Sequence, residues 1–421
     1  MQTHLAPEFQ GTPAGHEAEA ILRQCVHCGF CSATCPTYQL LGDELDSPRG
    51  RIYLIKQVLE GQPPTRATQQ HLDRCLTCRN CETTCPSGVP YARLLETGRQ
   101  AVAARVPRPP AEARLRRRLR EGLTSPWFGP AMRLGQAVRG WLPAPLRAKV
   151  PAPRPAGAWP RARHARRVLL PAGCVQPAMA PSIGAATARV LDAAGISVIA
   201  ARGQTCCGAL RLHLDDAEGA RANARANIDA WWPHIAPEHG AGVEAIVSNA
   251  SGCGVMLKDY GHLLQDDARY AERAARVAAL ARDVSELLPE LAAALAPRLA
   301  DRAPAQPVAW HPPCTLQHGQ KLRGTVETHL AALGIDLRPP AAEAHLCCGS
   351  AGTYSVLQPT LANALRERKL GHLLAKGLDG QRPAQIVSAN IGCITHLQAG
   401  CDVPVRHWIE LVDDMLPPAP R

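Results

Sequence analysis

Two runs of cysteine repeat one spacing 50 residues apart: Cys25, Cys28, Cys31 and Cys35-Pro36, then Cys75, Cys78, Cys81 and Cys85-Pro86. Each reads Cys-x2-Cys-x2-Cys-x3-Cys-Pro, the run that holds 4Fe–4S clusters. Two-residue gaps let three thiolates on one tight loop converge on three corners of an iron–sulfur cube, while the fourth corner lies too far round for the same loop. The fourth cysteine of each run then serves the other cluster. The spacing therefore predicts cluster I on Cys25, Cys28, Cys31 and Cys85, and cluster II on Cys75, Cys78, Cys81 and Cys35. Pro36 and Pro86, with a fixed φ and no N–H, end each loop and turn the chain away from the iron. A pair of zinc sites would also use Cys-x2-Cys, but it does not account for a triplet plus Cys-Pro occurring twice.

A second duplication follows. Cys174, Cys206-Cys207-Gly208 and Gly252-Cys253 recur as Cys314, Cys347-Cys348-Gly349 and Gly392-Cys393, at offsets of 140 or 141 residues. Matching at four points marks an internal repeat. Four cysteines at matched positions in two copies point to a metal site on Cys174, Cys206, Cys207 and Cys253 and another on Cys314, Cys347, Cys348 and Cys393; the spacing does not choose between iron–sulfur and zinc. Gly208, Gly252, Gly349 and Gly392 beside the thiols suit close backbone approach to a bulky inorganic centre. His311, His318, His345 and His396 gather near the second set. His396 could add a ligand or proton acceptor, with a structural histidine the preferred reading. Cys401 has no counterpart in the first copy and reads as an unliganded thiol.

These groups must be positioned by two kinds of element. Around the first ladders the pattern is helical: Glu17 to Gln24 delivers Cys25, Ser47 caps a helix with Pro48 at its first position and Ile52, Ile55 and Leu59 on one face, and further helices run over Thr68–Arg74 and Tyr91–Ala104. Residues 1–14, with Gly11, Pro13 and Gly15, read as a loose lead-in. In the repeats, strand and helix alternate. Val168–Leu170, Ser197–Ala200 and Ala245–Ser248 read as strands, Ala185–Ala193 and Asp215–Trp231 as helices, and Val308–Trp310 and Ile386–Ser388 stand in matching places. Such alternation predicts a mainly parallel sheet, with ligands gathering at the carboxyl ends of the strands. The expected class is α+β and multidomain: a helical, ferredoxin-like two-cluster domain over 1–104, a basic Pro/Ala/Arg-rich linker over 105–165, and two α/β Cys-Cys-Gly domains over 166–305 and 306–421.

Composition bounds the rest. The net charge is +11, and residues 102–167 alone hold sixteen Arg and Lys against Glu112 and Glu121, so the whole excess belongs to one segment. That segment reads as a solvated linker with a short basic helix. Its tryptophans, Trp127, Trp141 and Trp159, leave open a face for anionic lipid or an acidic partner. No nucleic-acid module accompanies the charge, so no nucleic acid is expected. Met1 to Pro13 lack the basic and apolar regions of a secretory leader, and a reducing cytoplasm is the expected compartment. The greasiest stretch, Ala274–Ala300, is broken by Arg276, Arg282, Asp283, Glu286, Glu290 and Arg298, so no membrane span is expected and membrane contact would be peripheral, on the inner face. There is no Gly-x-Gly-x-x-Gly fingerprint, so flavin or nicotinamide chemistry belongs to another chain.

Two ladders followed by two Cys-Cys-Gly units resemble the family that includes the iron–sulfur subunit of glycolate oxidase, the C subunit of anaerobic glycerol-3-phosphate dehydrogenase, lactate-utilisation proteins and the joined C and B subunits of heterodisulfide reductase. His27-Cys28-Gly29-Phe30-Cys31, Ser47-Pro48-Arg49-Gly50-Arg51, Cys314 to Gln320 and Asn390 to His396 are most similar to the glycolate oxidase branch. The resemblance implies two 4Fe–4S clusters in an electron-transfer subunit. FAD-binding partner subunits would oxidise glycolate to glyoxylate, with electrons passing to a respiratory-chain acceptor such as quinone. A glycerol-3-phosphate or lactate dehydrogenase subunit, or a heterodisulfide-reductase-like catalyst, is the alternative. Heterodisulfide reductase holds noncubane clusters through units that end in Cys-x2-Cys. Here Met256 and His396 stand at that last position, so a four-cysteine cubane or a zinc site stands beside the noncubane centre.

Overall fold

The structure, a computed structural model, describes residues 1–143, 147, 150–236, 242–299 and 301–417. The remaining residues fall in the expected linker, the expected first Cys-Cys-Gly domain and the C-terminal end.

The first hundred residues are helical. Pro13–Gln24 begins with Pro13 at its first turn and Thr12 as its cap, whose hydroxyl accepts from the Gly15 amide. Pro13 therefore starts the helix instead of opposing it, because a first-turn residue has no intrahelical use for its N–H. Nor is the lead-in loose: Thr3 is buried, and the Ala6 amide donates to the Leu59 carbonyl at 2.8 Å. The helix Pro48–Leu59 starts on Ser47, whose Oγ accepts from Gly50 N at 3.0 Å. With Arg66–Asp73 and Tyr91–Ala103 it encloses a core of Leu22, Ile55, Leu59, Leu72, Leu94 and Leu95.

Each repeat is a four-stranded parallel sheet. The first comprises β1 (Arg166–Leu169), β2 (Ile196–Ile199), β3 (Ala245–Ser248) and β4 (Ala281–Asp283); the second comprises β5 (Val308–Trp310), β6 (Leu337–Arg338), β7 (Gln385–Ser388) and β8 (Val405–His407). Strand order is β2-β1-β3-β4 in one and β6-β5-β7-β8 in the other. In both, the order reverses at the first strand, which opens a crevice at its carboxyl end. β4 lies within the greasiest stretch of the sequence, with helices Ala271–Leu280 and Leu288–Leu299 on either side.

The halves share a core. Pro181–Ala193 packs on Trp408–Met415, tied by Ser182 Oγ to Glu410 at 2.6 Å and Arg189 to Asp413 at 2.6 Å, while Leu288–Leu299 packs on Thr325–Ala332. Val190, Leu295, Leu330 and Val412 lie in one apolar cluster. Neither half buries these faces alone.

The basic segment is only in part a solvated linker. It forms the helices Pro110–Thr124 and Phe128–Ala137. Arg108 and Arg116, almost buried, bridge Asp73 of the ladder region and Asp215 of the first repeat: Arg108 lies 2.5 Å from Asp73 and 2.8 Å from Asp215, and Arg116 lies 3.0 Å from Asp73. Arg211 meets Glu121 at 2.7 Å on the same seam. Trp127 and Trp141 remain 78% and 87% exposed, which leaves a wet aromatic face beside the clamp. No described helix is long and apolar enough to cross a membrane.

Burial alone would raise the Asp73 carboxyl, but the Arg108 hydrogen bond and the charges of Arg116, Arg108 and Arg99 hold it below the ordinary carboxylate range. A depressed carboxylate stabilises the fold above its unfolded pKa and stops doing so as pH falls through the folded value. Asp73→Asn, which leaves two nearly buried guanidiniums short of an anion, is expected to cost about 3 kcal/mol. By denaturant titration the deficit should be the same at pH 7 and pH 5, since both lie above the free aspartate pKa of about 3.9. A deficit that fades across that interval would mean that another group carries the effect.

Candidate iron–sulfur centres

Both ladder loops use the same backbone. His27 and Gly29 adopt positive φ (56° and 84°), and fifty residues on Thr77 and Arg79 do so again (53° and 60°). These kinks turn successive thiols inward. One cavity is lined by Cys25, Cys28, Cys31 and Cys85, and a second by Cys35, Cys75, Cys78 and Cys81; Cys81, Pro48 and Tyr91 border both. The crossed sets expected from the spacing are thus the sets brought together in space.

The donor chemistry fits a cationic inorganic centre. All seventeen cysteines are free thiols. Burial, then the nearby Cys25, Cys85 and Cys28, push the Cys31 thiol up to about 11. Burial and neighbouring thiols, Cys35 and Cys75 among them, likewise raise Cys78 and Cys81. Four thiolates cannot share a small dry cavity without cations, and bound iron inverts that balance. Hydrogen bonds already aim at the sulfurs of the second cavity. Cys75 Sγ accepts from Tyr91 Oη at 3.8 Å and from the Thr77 amide at 3.4 Å, and the fully buried Arg51 brings Nη1 to 4.0 Å from Cys35 Sγ. Arg51 is fixed by the His71 carbonyl at 2.7 Å and Asp46 at 3.2 Å. Sequence reasoning did not single out Arg51 or Tyr91. The available signal for Arg51 was a charged residue next to Ile52 on the apolar face of its helix.

In the first repeat Cys174 follows β1, Cys206 and Cys207 follow β2, and Cys253 sits in the first turn of Ser251–Lys258 after β3. Their thiols interact in series. Hydrogen bonds from Cys174 and Cys207, with further help from the Gly208 and Leu210 amides, pull Cys206 below the ordinary thiol range, while Cys174 and Cys207 are raised. Asn227 Nδ2 and Tyr260 Oη hold the Cys206 and Cys207 carbonyls at 2.9 and 3.0 Å, which fixes the vicinal pair.

The second repeat places Cys314, Cys347, Cys348 and Cys393 at the corresponding strand ends, all buried, with Cys314 Sγ 3.8 Å from Cys347 Sγ. A ring nitrogen of His311 and the sulfurs of Cys348 and Cys393 lie within 4.8 Å of one another. Burial, and then the charge of Lys369, hold the His311 pKa down to about 3, so the ring is neutral. His396 and His318 have structural partners. His396 Nε2 meets the Ala362 carbonyl at 3.1 Å, and His318 links the His345 carbonyl at 2.8 Å to Thr83 at 2.9 Å. Cys401 donates to the Leu397 carbonyl at 3.4 Å.

The motif glycines also meet a packing constraint. Gly208 and Gly349 have φ of 95° and 90°, and a Cβ there would lie 3.0 Å from the Ala220 carbonyl oxygen and 2.4 Å from that of Ala362. They admit the backbone of a following helix, and the Gly349 amide donates to Cys347 Sγ at 3.4 Å. Gly252 and Gly392 face the Asn390 and Ser350 side chains.

Contacts join neighbouring sites. Leu76 and Cys78 of the second ladder pack with Cys314, Cys347 and Tyr354 of the second repeat, and Tyr354 Oη donates to the Arg74 carbonyl at 3.0 Å. From there the Ser251 amide meets the Ala389 carbonyl at 3.0 Å, which joins the loops that carry Cys253 and Cys393. At the other end the first ladder is open: Cys28 is exposed, as are Val26 (68%) and Phe30 (61%).

Comparison with known proteins agrees with this layout. A 4Fe–4S dicluster domain model matches residues 21–89, and a cysteine-rich domain model matches twice, over 168–258 and 308–398. The glycolate oxidase iron–sulfur subunit of Escherichia coli is 53% identical over 99% of both chains. The chain belongs to the glycolate oxidase iron–sulfur subunit family. A probable glycolate oxidase iron–sulfur subunit of Bacillus subtilis is 32% identical, covering 91% of this chain and 90% of its own length. Lactate utilization protein A of Exiguobacterium is 26% identical but covers only 57% of this chain. Within the glycolate oxidase iron–sulfur subunit family, a dicluster domain followed by two cysteine-rich domains is therefore the frame in which the four thiol sets sit.

Alanine at Gly208 or Gly349 forces a left-handed backbone that costs about 1–3 kcal/mol. Gly349→Ala also drives Cβ into a helix carbonyl, so its thermal midpoint should fall further than that of Gly208→Ala. Equal shifts would show that the Ala362 contact imposes no constraint.

Proposed function

We propose that this chain is the electron-transfer subunit of a flavin-dependent glycolate oxidase. Cys25, Cys28, Cys31 and Cys85 would hold one 4Fe–4S cluster and Cys75, Cys78, Cys81 and Cys35 the other. Cys174, Cys206, Cys207 and Cys253, and Cys314, Cys347, Cys348 and Cys393, would hold further iron–sulfur or zinc centres. Groups of this kind, when bound, supply one-electron carriage over a wide range of potential, tuned by hydrogen bonds and burial. The chain's own residues set those terms. Arg51, Tyr91 and the Thr77 amide direct hydrogens at sulfur, and Leu76 and Tyr354 keep water from the seam between the second ladder and the second repeat.

The observation that carries this reading is the contiguity of the thiol sets, from the open edge at Cys28 and Phe30, through the wall shared at Cys81, to Cys314 and Cys347. The open edge offers a reduced FAD-binding subunit its nearest approach. Glycolate would be oxidised to glyoxylate on that partner, with none oxidised by this chain alone, and electrons would leave for a respiratory acceptor such as quinone. The exposed Trp127 and Trp141 beside a basic helix support a cytoplasmic protein that touches the inner membrane face peripherally.

Assembled with its flavin subunits, the chain should support glycolate-dependent reduction of a soluble quinone, with lactate and glycerol 3-phosphate as weaker donors. Cys78→Ser in that complex should lower quinone reduction at least tenfold while glycolate still bleaches the flavin in a single turnover. Unchanged quinone reduction in Cys78→Ser would contradict the relay, and faster turnover with either other substrate would contradict the choice of glycolate.

A further inference from the structure

The two Cys-Cys-Gly halves match in strand order and cysteine placement, yet one polar side chain at the second site has no equivalent at the first. Three residues before Cys314 stands His311; three residues before Cys174 stands Pro171. His311 is the first residue beyond β5. Its amide donates to the Val387 carbonyl at 2.8 Å, and its own carbonyl accepts from Ser388 Oγ at 3.1 Å, so the backbone is held at the carboxyl end of the two central strands.

The side chain is fully buried, and neither ring nitrogen has a hydrogen-bond partner among the described residues. An imidazole in that state forgoes the hydrogen bonds that water would give it, and buried polar groups in folded proteins are usually paired. Nearest to it are the sulfurs of Cys348 and Cys393, which with a ring nitrogen form a set no more than 4.8 Å across. His396, the histidine at the place where some relatives of the fold carry a further cysteine, is turned to the Ala362 carbonyl instead.

We infer that His311 is a ligand of the metal centre in the second Cys-Cys-Gly site, so that the duplicated halves hold inequivalent centres: thiolate donors alone in the first, and thiolates with one imidazole in the second. The inference rests on reading Cys314, Cys347, Cys348 and Cys393 as a metal site. Imidazole and thiolate together suit zinc, and on iron an imidazole in place of thiolate raises the potential. The second centre, next to the ladders, would thereby differ from the first in metal preference or in potential despite the common sheet.

The test is metal content per chain after a chelator challenge, on the full chain prepared without oxygen. Four proteins are compared: the parent, Cys314→Ser, His311→Leu and His311→Cys. Cys314→Ser is expected to lose an increment of iron or zinc, His311→Leu to lose the same increment, and His311→Cys, which restores a donor, to keep it. If Cys314→Ser loses metal but His311→Leu does not, His311 is no ligand while the site reading stands. Loss in both His311 variants assigns the residue a packing role and overturns the inference. Full metal in Cys314→Ser sinks the site reading itself.

Discussion

Thiolates resist burial and repel one another, and the N-terminal quarter of this chain nonetheless collects eight of them in two adjoining cavities. The cost of that arrangement shapes what surrounds it. Cys31, Cys78 and Cys81 are all pushed away from the thiolate form by burial and by their neighbours. The protein supplies one buried cation, Arg51, and a few O–H and N–H donors, which polarise sulfur but cannot neutralise four thiolates. On the proposed reading iron would supply what is missing, and the ladders are arranged so that each loop contributes its fourth thiol to the other cavity. Neither cavity closes without the other, so the two sites form as one unit.

The same logic extends outward. The second ladder presses its Leu76 and Cys78 into the second repeat, and Arg108, with Arg116 of the helix Pro110–Thr124, pins the ladder region to the first repeat. Polar contacts that span the interfaces, such as Tyr354 to Arg74, fix the register of domains whose apolar contact is small. Shared packing between the repeats then holds the Cys253 and Cys393 loops side by side.

What was legible in the sequence was chemistry of short range. Three-residue cysteine spacing sets loop geometry directly, and a 140-residue offset repeated at four points reveals a duplication whatever its fold. Caps were equally plain, as at Ser47-Pro48. β4, β6 and β8 are not legible because two or three residues show no period, and Ala281–Asp283 sits between two helices. The role of the basic segment was hidden for another reason: Arg108 finds Asp73 and Asp215 at separations of 35 and 107 residues, which composition cannot reveal. Arg51 and Tyr91 belong to the same class, since what they do depends on the sulfur they meet. His311 looked like one of four histidines, and only its lack of a partner sets it apart.

The most direct measurement of the crossed arrangement is electron paramagnetic resonance of the reduced chain, prepared without oxygen, together with single variants at Cys25, Cys75 and Cys35. If the fourth thiols cross, Cys35→Ser removes the same cluster signal that Cys75→Ser removes and leaves the one lost in Cys25→Ser. Cys35→Ser matching Cys25→Ser, or a parent protein that is colourless and free of iron, would contradict the account.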